Sequence, residues 1–256
     1  MKSLLSLLAS LALTVPAAAQ PLSATPRPAL GFDELVARLS APELPARKAA
    51  IVSLGEGKDL RAVPPLGAVL TDPGQPAEAR AAAATALGHF ANWRSVPFLS
   101  RGLQDPAREV RFASAIALGK AKGRESAESL ASTLSDEKDW WVRFAAAASL
   151  GDSGEPAALR ALSKAADAEK EWPVRLQAIR SLGKVGSRQA VYALGAPLKD
   201  NDPAVRAAAA AALGGIGGLD SINLITTALK DEPHEVPRRA MADALNRLLK
   251  GGLLGR

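Results

Sequence analysis

Apolar and polar positions recur along this chain with a period near 32 residues. Arg47, Arg80, Arg111, Arg143, Arg175, Arg206 and Arg238 follow one another at intervals of 33, 31, 32, 32, 31 and 32 residues. Seven residues after each arginine stands a leucine: Leu54, Leu87, Leu118, Leu150, Leu182, Leu213 and Leu245. Glycine comes next six times, at Gly55, Gly88, Gly119, Gly151, Gly183 and Gly214, and Asn246 takes the seventh place. A fixed repeat of this length specifies stacked supersecondary units rather than one central core.

Within a unit the spacing is helical. In Asp105-Pro106-Ala107-Arg108-Glu109-Val110-Arg111 a polar start leads into the apolar stretch Phe112 to Leu118. Asp is favoured at an N-cap, Pro is tolerated in the first turn, and Gly accepts left-handed backbone after the last turn. The pattern therefore predicts a first helix opened by Asp and closed by Gly, with Asn246 serving because Asn also tolerates that backbone. Alanine crowds these helices, at Ala81 to Ala84, Ala145 to Ala148 and Ala207 to Ala212. It is the strongest helix former and permits close helix approach.

A second helix follows in each unit, with apolar positions such as Val96, Phe98, Leu99 and Leu103, or Ile222, Leu224, Ile225 and Leu229. It ends near an Asp that opens the next unit: Asp72, Asp105, Asp136, Asp167, Asp200 and Asp231. Two helices per period leave no room for strands. The fold class expected is all-α, a right-handed α-solenoid of about seven short helix pairs. An N-terminal half-repeat at residues 31–41 contains Phe32, Leu35, Val36 and Leu39 at helical spacing. The last repeat, residues 232–256, is too short for a second helix. Either Leu253 and Leu254 fold back over its end or the stack stops on a bare face.

The first residues read differently. Lys2, the apolar run Leu4 to Leu13 and Ala17-Ala18-Ala19 form the pattern of a secretory signal peptide over residues 1–19. No cysteine follows the small residues, so a lipoprotein anchor is not expected. Residues 20–30 carry Pro21, Pro26 and Pro28 and read as a linker. The sequence has no cysteine, so an exported form would rely on packing alone. The net charge of +6 falls to +5 without Lys2. That mild excess follows from the repeated arginines, and neither nucleic acid nor a membrane is expected as a partner after the leader is removed.

The pattern D-P-x-x-x-V-R-x-x-A-x-x-A-L-G stands, with small variations, at Asp105 to Gly119, Val142 to Gly151 and Asp202 to Gly214. It resembles the short HEAT repeats called phycobilisome-lyase-type or E-Z type, over about Pro42 to Arg247. The resemblance implies the helical solenoid. The wider superfamily includes phycobilin lyases, deoxyhypusine hydroxylases and binding scaffolds. Its hydroxylases carry His-Glu pairs just after the repeated arginine. The matching positions here are Lys48-Ala49, Ala81-Ala82, Phe112-Ala113, Phe144-Ala145, Leu176-Gln177, Ala207-Ala208 and Arg239-Ala240. None is His-Glu, and His234-Glu235 precedes Arg238 in the wrong register.

Four groups of residues invite a role. Arg80, Arg111, Arg143, Arg175 and Arg206, with Asp105, Asp136, Asp167 and Asp200, track the repeat and predict a structural ladder, each arginine fork holding carboxylates of its own and the adjoining unit. The acidic loops Asp136 to Asp139 and Asp167 to Glu171 sit where the helix dipole favours negative charge. Lys120, Lys122, Arg124, Lys184 and Arg188 make some intra-repeat turns basic. Trp140, Trp141 and Trp172 stand at helix starts where other units have Leu44, Ala77, Arg108, Pro203 or Glu235. They either form a partner-binding site within an acidic rim or merely cover the helix starts.

No catalytic constellation stands out. The two histidines, His89 and His234, lie far apart, and there is no thiol nucleophile. Gly214 to Gly218 reads as a flexible turn between helices, not a phosphate loop. The expected function is an exported, non-catalytic scaffold for an unidentified protein partner, with no cofactor and no metal. The alternative is a superfamily-type enzyme resembling a bilin lyase or a deoxyhypusine hydroxylase.

Overall fold

The computed structural model describes residues 30–254, with side chains through residue 250. The expected leader and nearly all of the linker lie outside the described residues. The described residues are all-helical, without strands. Helix α1 (Phe32–Ala37) and a 3-10 turn precede six helix pairs. These are α2 (Leu44–Glu56) with α3 (Val63–Thr71), α4 (Ala77–Phe90) with α5 (Val96–Gly102), and α6 (Arg108–Ala121) with α7 (Arg124–Asp136). Next come α8 (Trp140–Leu150) with α9 (Pro156–Ala168), α10 (Trp172–Val185) with α11 (Arg188–Ala193), and α12 (Pro203–Ile216) with α13 (Gly218–Lys230). Helix α14 (Glu235–Leu254) closes the series, and its backbone stays helical through Leu254 rather than folding back.

First helices pack on first helices in one layer, and each second helix packs on its own and neighbouring units. This is an α-solenoid. The core runs as one cluster from Leu39 to Ala244 between the layers. Its main pillars are the repeated leucines: Leu87, Leu118, Leu150, Leu182 and Leu213 are fully buried. Leu245 is only partly buried, because α14 has a neighbouring first helix on one side alone.

Five of the six repeated glycines do not cap their helices, and Gly151, the C-cap of α8, does so without left-handed backbone. None of the six has positive φ; five lie within a helix, and Gly151 takes right-handed backbone directly after α8. They mark the plane where consecutive first helices touch. A Cβ on Gly55 would sit 2.8 Å from the Ala86 Cβ, one on Gly88 2.9 Å from the Ala117 Cβ, and one on Gly119 2.6 Å from the Ser149 Cβ. Gly151 and Gly214 meet Ser181 and Ala244 in the same way, at 2.9 and 2.7 Å. The facing residue always precedes the leucine of the next unit. Asn246 breaks the column where no further first helix arrives, and it is exposed.

The left-handed backbone lies three residues later, at Lys58, Ala91, Lys122, Gly154, Gly186 and Gly217, with φ of 52°, 47°, 51°, 70°, 65° and 89°. The chain reverses there into the second helix. Half of these positions lack glycine and so bear some backbone strain. Gly214 to Ile216 belong to α12, so only Gly217 remains of the expected flexible turn. Asp105 is likewise not an N-cap. Helix α6 starts at Arg108, and the Asp105 carboxylate accepts from the Ala107 N–H at 2.8 Å, within the loop. Asp139 and Asp202 do cap, accepting from the N–H groups of Trp141 and Ala204.

Two outcomes check this packing. Gly119→Ala should destabilise the chain by about 1–3 kcal/mol through overpacking against Ser149. Asn246→Ala should stay within about 0.5 kcal/mol of wild type. Denaturant titration compares them, and a neutral Gly119→Ala would remove the close-approach plane. In the same titrations Leu118→Ala should cost about 2–5 kcal/mol and Leu245→Ala clearly less. Equal losses would contradict a linear stack.

Candidate functional site: an arginine ladder beneath an exposed aromatic patch

The loops between units are fixed by one repeated arrangement. The Arg80 guanidinium donates to Asp105 at 2.7 and 2.8 Å, Arg111 to Glu137 at 2.8 and 3.2 Å, and Arg143 to Glu169 twice at 2.8 Å. Arg175 pairs with Asp200 at 2.9 Å, and Arg206 donates to Glu232 at 2.6 and 2.8 Å. In every pair the carboxylate belongs to the following unit. The remaining guanidinium nitrogen donates to a backbone carbonyl six residues back in its own loop: Asp105 for Arg111, Glu137 for Arg143, Glu169 for Arg175 and Asp200 for Arg206. Each carboxylate also accepts the N–H two residues on, those of Ala107, Asp139, Glu171, Asp202 and His234.

The ladder therefore corrects the expected acid set. Asp105 and Asp200 hold rungs, whereas Asp136 and Asp167 are exposed and hold none. Glu137 and Glu169 take their places, and Glu232 takes that of Asp231. The rule is a spacing of six residues before the unit's own arginine, which Asp136 and Asp167 miss by one and two. The arginine also takes a carbonyl, not a carboxylate, from its own loop. At the N-terminal end Gln75 Oε1 replaces the carboxylate for Arg47, at 2.6 Å, and Arg47 also donates to the Ala41 carbonyl. Among the described residues Arg238 donates only to the Glu232 carbonyl.

Burial raises the carboxyls of Asp105, Glu137 and Glu169, but the arginine and backbone donors outweigh it and hold all three below their ordinary values. For Glu232 the hydrogen bonds from Arg206 are the main cause of the same downward shift. These charges are consumed within the ladder. The acidic rim expected around the tryptophans thus loses Glu137 and Glu169 and retains Asp139 and Glu171. The basic turns are partly neutralised too: Lys184 lies 3.4 Å from Asp152, Arg188 3.3 Å from Asp220 and Arg124 2.7 Å from Glu128.

Trp140 and Trp141 open α8 beside the ladder. The Trp141 ring is near-parallel to Phe112 of α6 and to Phe144 of its own helix, both with centroids 5.5 Å away. Trp140 meets it edge-on at 5.3 Å. Both indoles remain well exposed, at 40% for Trp140 and 43% for Trp141, and Ile116 is exposed on α6. Trp172, which opens α10, is exposed but stacks on no other ring among the described residues. So the structure groups two of the three expected tryptophans and adds Phe112 and Phe144. The signal for the phenylalanines was their shared register, directly after the repeated arginine. Trp93, in the turn before α5, is exposed on its own with Arg94 over its ring.

Among the described residues no cluster of His, Asp and Glu has the geometry to hold a metal ion. His234 uses its backbone N–H on Glu232, and Glu235 begins α14.

The ladder should govern acid stability. A carboxylate with a lowered folded pKa stabilises the fold above its unfolded pKa, and that contribution disappears as pH falls through the folded value. Unfolding free energy should stay level from neutral pH to about 5 and drop below about 4. Glu137→Gln should cost about 1–3 kcal/mol at pH 7, since it removes the charged partner of a half-buried Arg111, and should flatten the acid limb. Asp136→Asn should change stability by less than about 0.5 kcal/mol. Urea titrations across pH compare the two, and equal effects would return the rung to Asp136.

No curated protein matches the sequence. Two solved structures share the fold. The CpcE–CpcF complex of phycocyanin lyase from Nostoc sp. PCC7120 is 23% identical over 90% of this chain and 99% of that one, with a TM-score of 0.53. A chain from the Kap95p–RanGDP complex is 16% identical over 88% of this chain and 34% of its own length, with a TM-score of 0.56. Human deoxyhypusine hydroxylase in complex with glycerol is 24% identical over 86% of this chain and 84% of that one, at a TM-score of 0.45. The HEAT-repeat profile matches residues 32–109, 74–151, 122–179 and 161–246, so with its paired helices and repeated arginines this chain belongs to the HEAT-repeat family.

Proposed function

We propose that this chain is an exported, non-catalytic HEAT-repeat scaffold of the short E-Z type, which binds another protein through its first-helix layer. The observation that carries this reading is the patch of Phe112, Ile116, Trp140, Trp141 and Phe144. The repeat does not require aromatic residues at these positions, since other units carry Ala77, Arg108 or Glu235 in the register of Trp140 and Lys48, Ala81 or Ala207 in that of Phe144. Large aromatic area left half-exposed and held rigid by stacking matches the composition of binding hot spots. Asp139, directly before Trp140, lies at its edge with Arg108 3.7 Å away, so the rim there carries both signs. The repeat period of 31–33 residues and the Leu-Gly column support the short-repeat subtype.

Export rests on the sequence of residues 1–19, and no helix among the described residues is long and apolar enough to cross a membrane. The repeated arginines, which carry no His-Glu pairs beside them, support a binding role over iron chemistry.

The test separates binding from folding. Trp140→Ser and Trp172→Ser each remove an exposed indole outside the stacked trio and should leave thermal unfolding within a few degrees of wild type. Trp140→Ser should weaken capture of the partner from the exported fraction at least tenfold, whereas a variant at Trp93 should not. Unchanged capture together with lost stability would make the indoles covers for the helix starts. Mass spectrometry of the exported protein should find an N-terminus at Gln20, and an intact Met1 there would contradict export with cleavage.

A further inference from the structure

Beyond the aromatic patch, the same layer carries a groove of about 680 Å³ along α12. Its floor is the outer face of α12, with Ala207, Ala208 and Ala211, where Ala207 stands in the register of Phe112 and Phe144 and Ala211 in that of Ile116. Leu176 on α10 forms one wall and Val236 on α14, 68% exposed, forms the other. Adjacent packed helix axes lie about 8–10 Å apart, so the axes of α10 and α14 stand about 16–20 Å apart with α12 between them. An added helix, about 10–12 Å across with its side chains, would lie over α12 and rest on the ridges of α10 and α14 rather than enter between them. The floor from Ala204 to Gly215 is about 17 Å long, which is three helical turns.

The charge of the groove has one sign. Arg180 and Lys184 are its charged lining residues, and no carboxylate lines it. Arg180 makes no ion pair among the described residues and is the main charge, whereas Lys184 is shared with Asp152 at 3.4 Å. Both cations lie toward the C-terminal end of α10, and the Arg247 guanidinium reaches the same end, 3.4 Å from a Cβ built on Gly214. A second copy of this chain carries the same positive excess and is electrostatically disfavoured in the α12 groove.

We propose that the α12 groove docks an amphipathic helix of about three turns from a partner protein, its apolar face on the alanine floor and its carboxylates over Arg180 and Lys184. This is helix-in-groove recognition with an electrostatic end-stop. It stands apart from the aromatic patch and does not depend on it.

The experiment uses the full chain and two synthetic helical peptides of about 14 residues with one Ala/Leu face. One peptide carries two Glu at one end, the other two Lys, and fluorescence anisotropy reads binding at low and high salt. The acidic peptide should bind at least tenfold more tightly than the basic one, with an advantage that shrinks in salt. Arg180→Glu with Lys184→Glu should reverse the preference. Ala211→Trp fills the exposed floor and should weaken the acidic peptide at least tenfold while the circular dichroism melt stays unchanged. Trp140→Ser should leave peptide binding intact, so failure here and failure of the aromatic site are distinguishable. Equal binding of the two peptides, no binding of the acidic one, or indifference to Ala211→Trp would overturn the proposal. So would self-association that Ala211→Trp abolishes, which would assign the groove to a second copy.

Discussion

A guanidinium fork from one unit grips a carboxylate in the loop of the next, and the stack takes its register from that grip. Each rung has two faces. Forward, Arg143 reaches Glu169 with two parallel N–H donors; backward, it holds the Glu137 carbonyl of its own loop. The Glu137 carboxylate is in turn held by Arg111. Every inter-unit loop is thus clamped between two arginines. Only arginine has the planar fork that serves a carboxylate and a carbonyl together, which a lysine ammonium does not match. The pairs are largely buried, down to 10% and 2% side-chain exposure for Arg206 and Glu232. Desolvation at that depth offsets much of the attraction, so a rung contributes more to fixing the loop than to net stability, while half a rung is strongly destabilising.

The second constraint is steric and runs along the opposite ends of the first helices. Glycine in one unit meets Ala or Ser in the next, so the helices approach to a distance that any side chain on the glycine would prevent. Ladder and glycine plane together fix both ends of each first helix relative to its neighbour. The termini show the logic by exception. Arg238 has no forward carboxylate, Asn246 has no facing helix, and the last helix presents Asp243, Asn246, Arg247 and Lys250 around its end.

Much of this was legible in the residues because a repeated constraint leaves a repeated letter. The arginine, leucine and glycine columns gave the helix pairs, the layer order and the buried leucines. The glycine was misread because a C-cap and a close approach both select glycine, and only the spatial partner, Ala117 or Ser149, tells them apart. The rung acids were misread in two loops because Asp136-Glu137 and Asp167-Ala168-Glu169 place more than one carboxylate near the right place. The constant was the distance of six to the arginine, not the residue type. The aromatic patch was half legible: the tryptophans stand out by rarity, whereas Phe112 and Phe144 join them only because Trp141 lies against both rings. The groove on α12 left no sequence signal beyond a run of alanine, because its shape depends on which neighbours flank that run.

Function on such a frame resides where the repeat is broken on the outside while being kept on the inside. The ladder residues serve the frame, and the aromatic patch and the alanine-floored groove are departures that the frame does not require. The claim beneath this division is that the rung couples adjacent units. A double-mutant cycle on Arg143→Met and Glu169→Gln, read by urea unfolding at pH 7, measures that coupling directly. The account predicts an interaction free energy of about 1.5–3 kcal/mol, with the double variant less damaged than the sum of the singles. A coupling below about 0.5 kcal/mol, the value of an exposed ion pair, would contradict it.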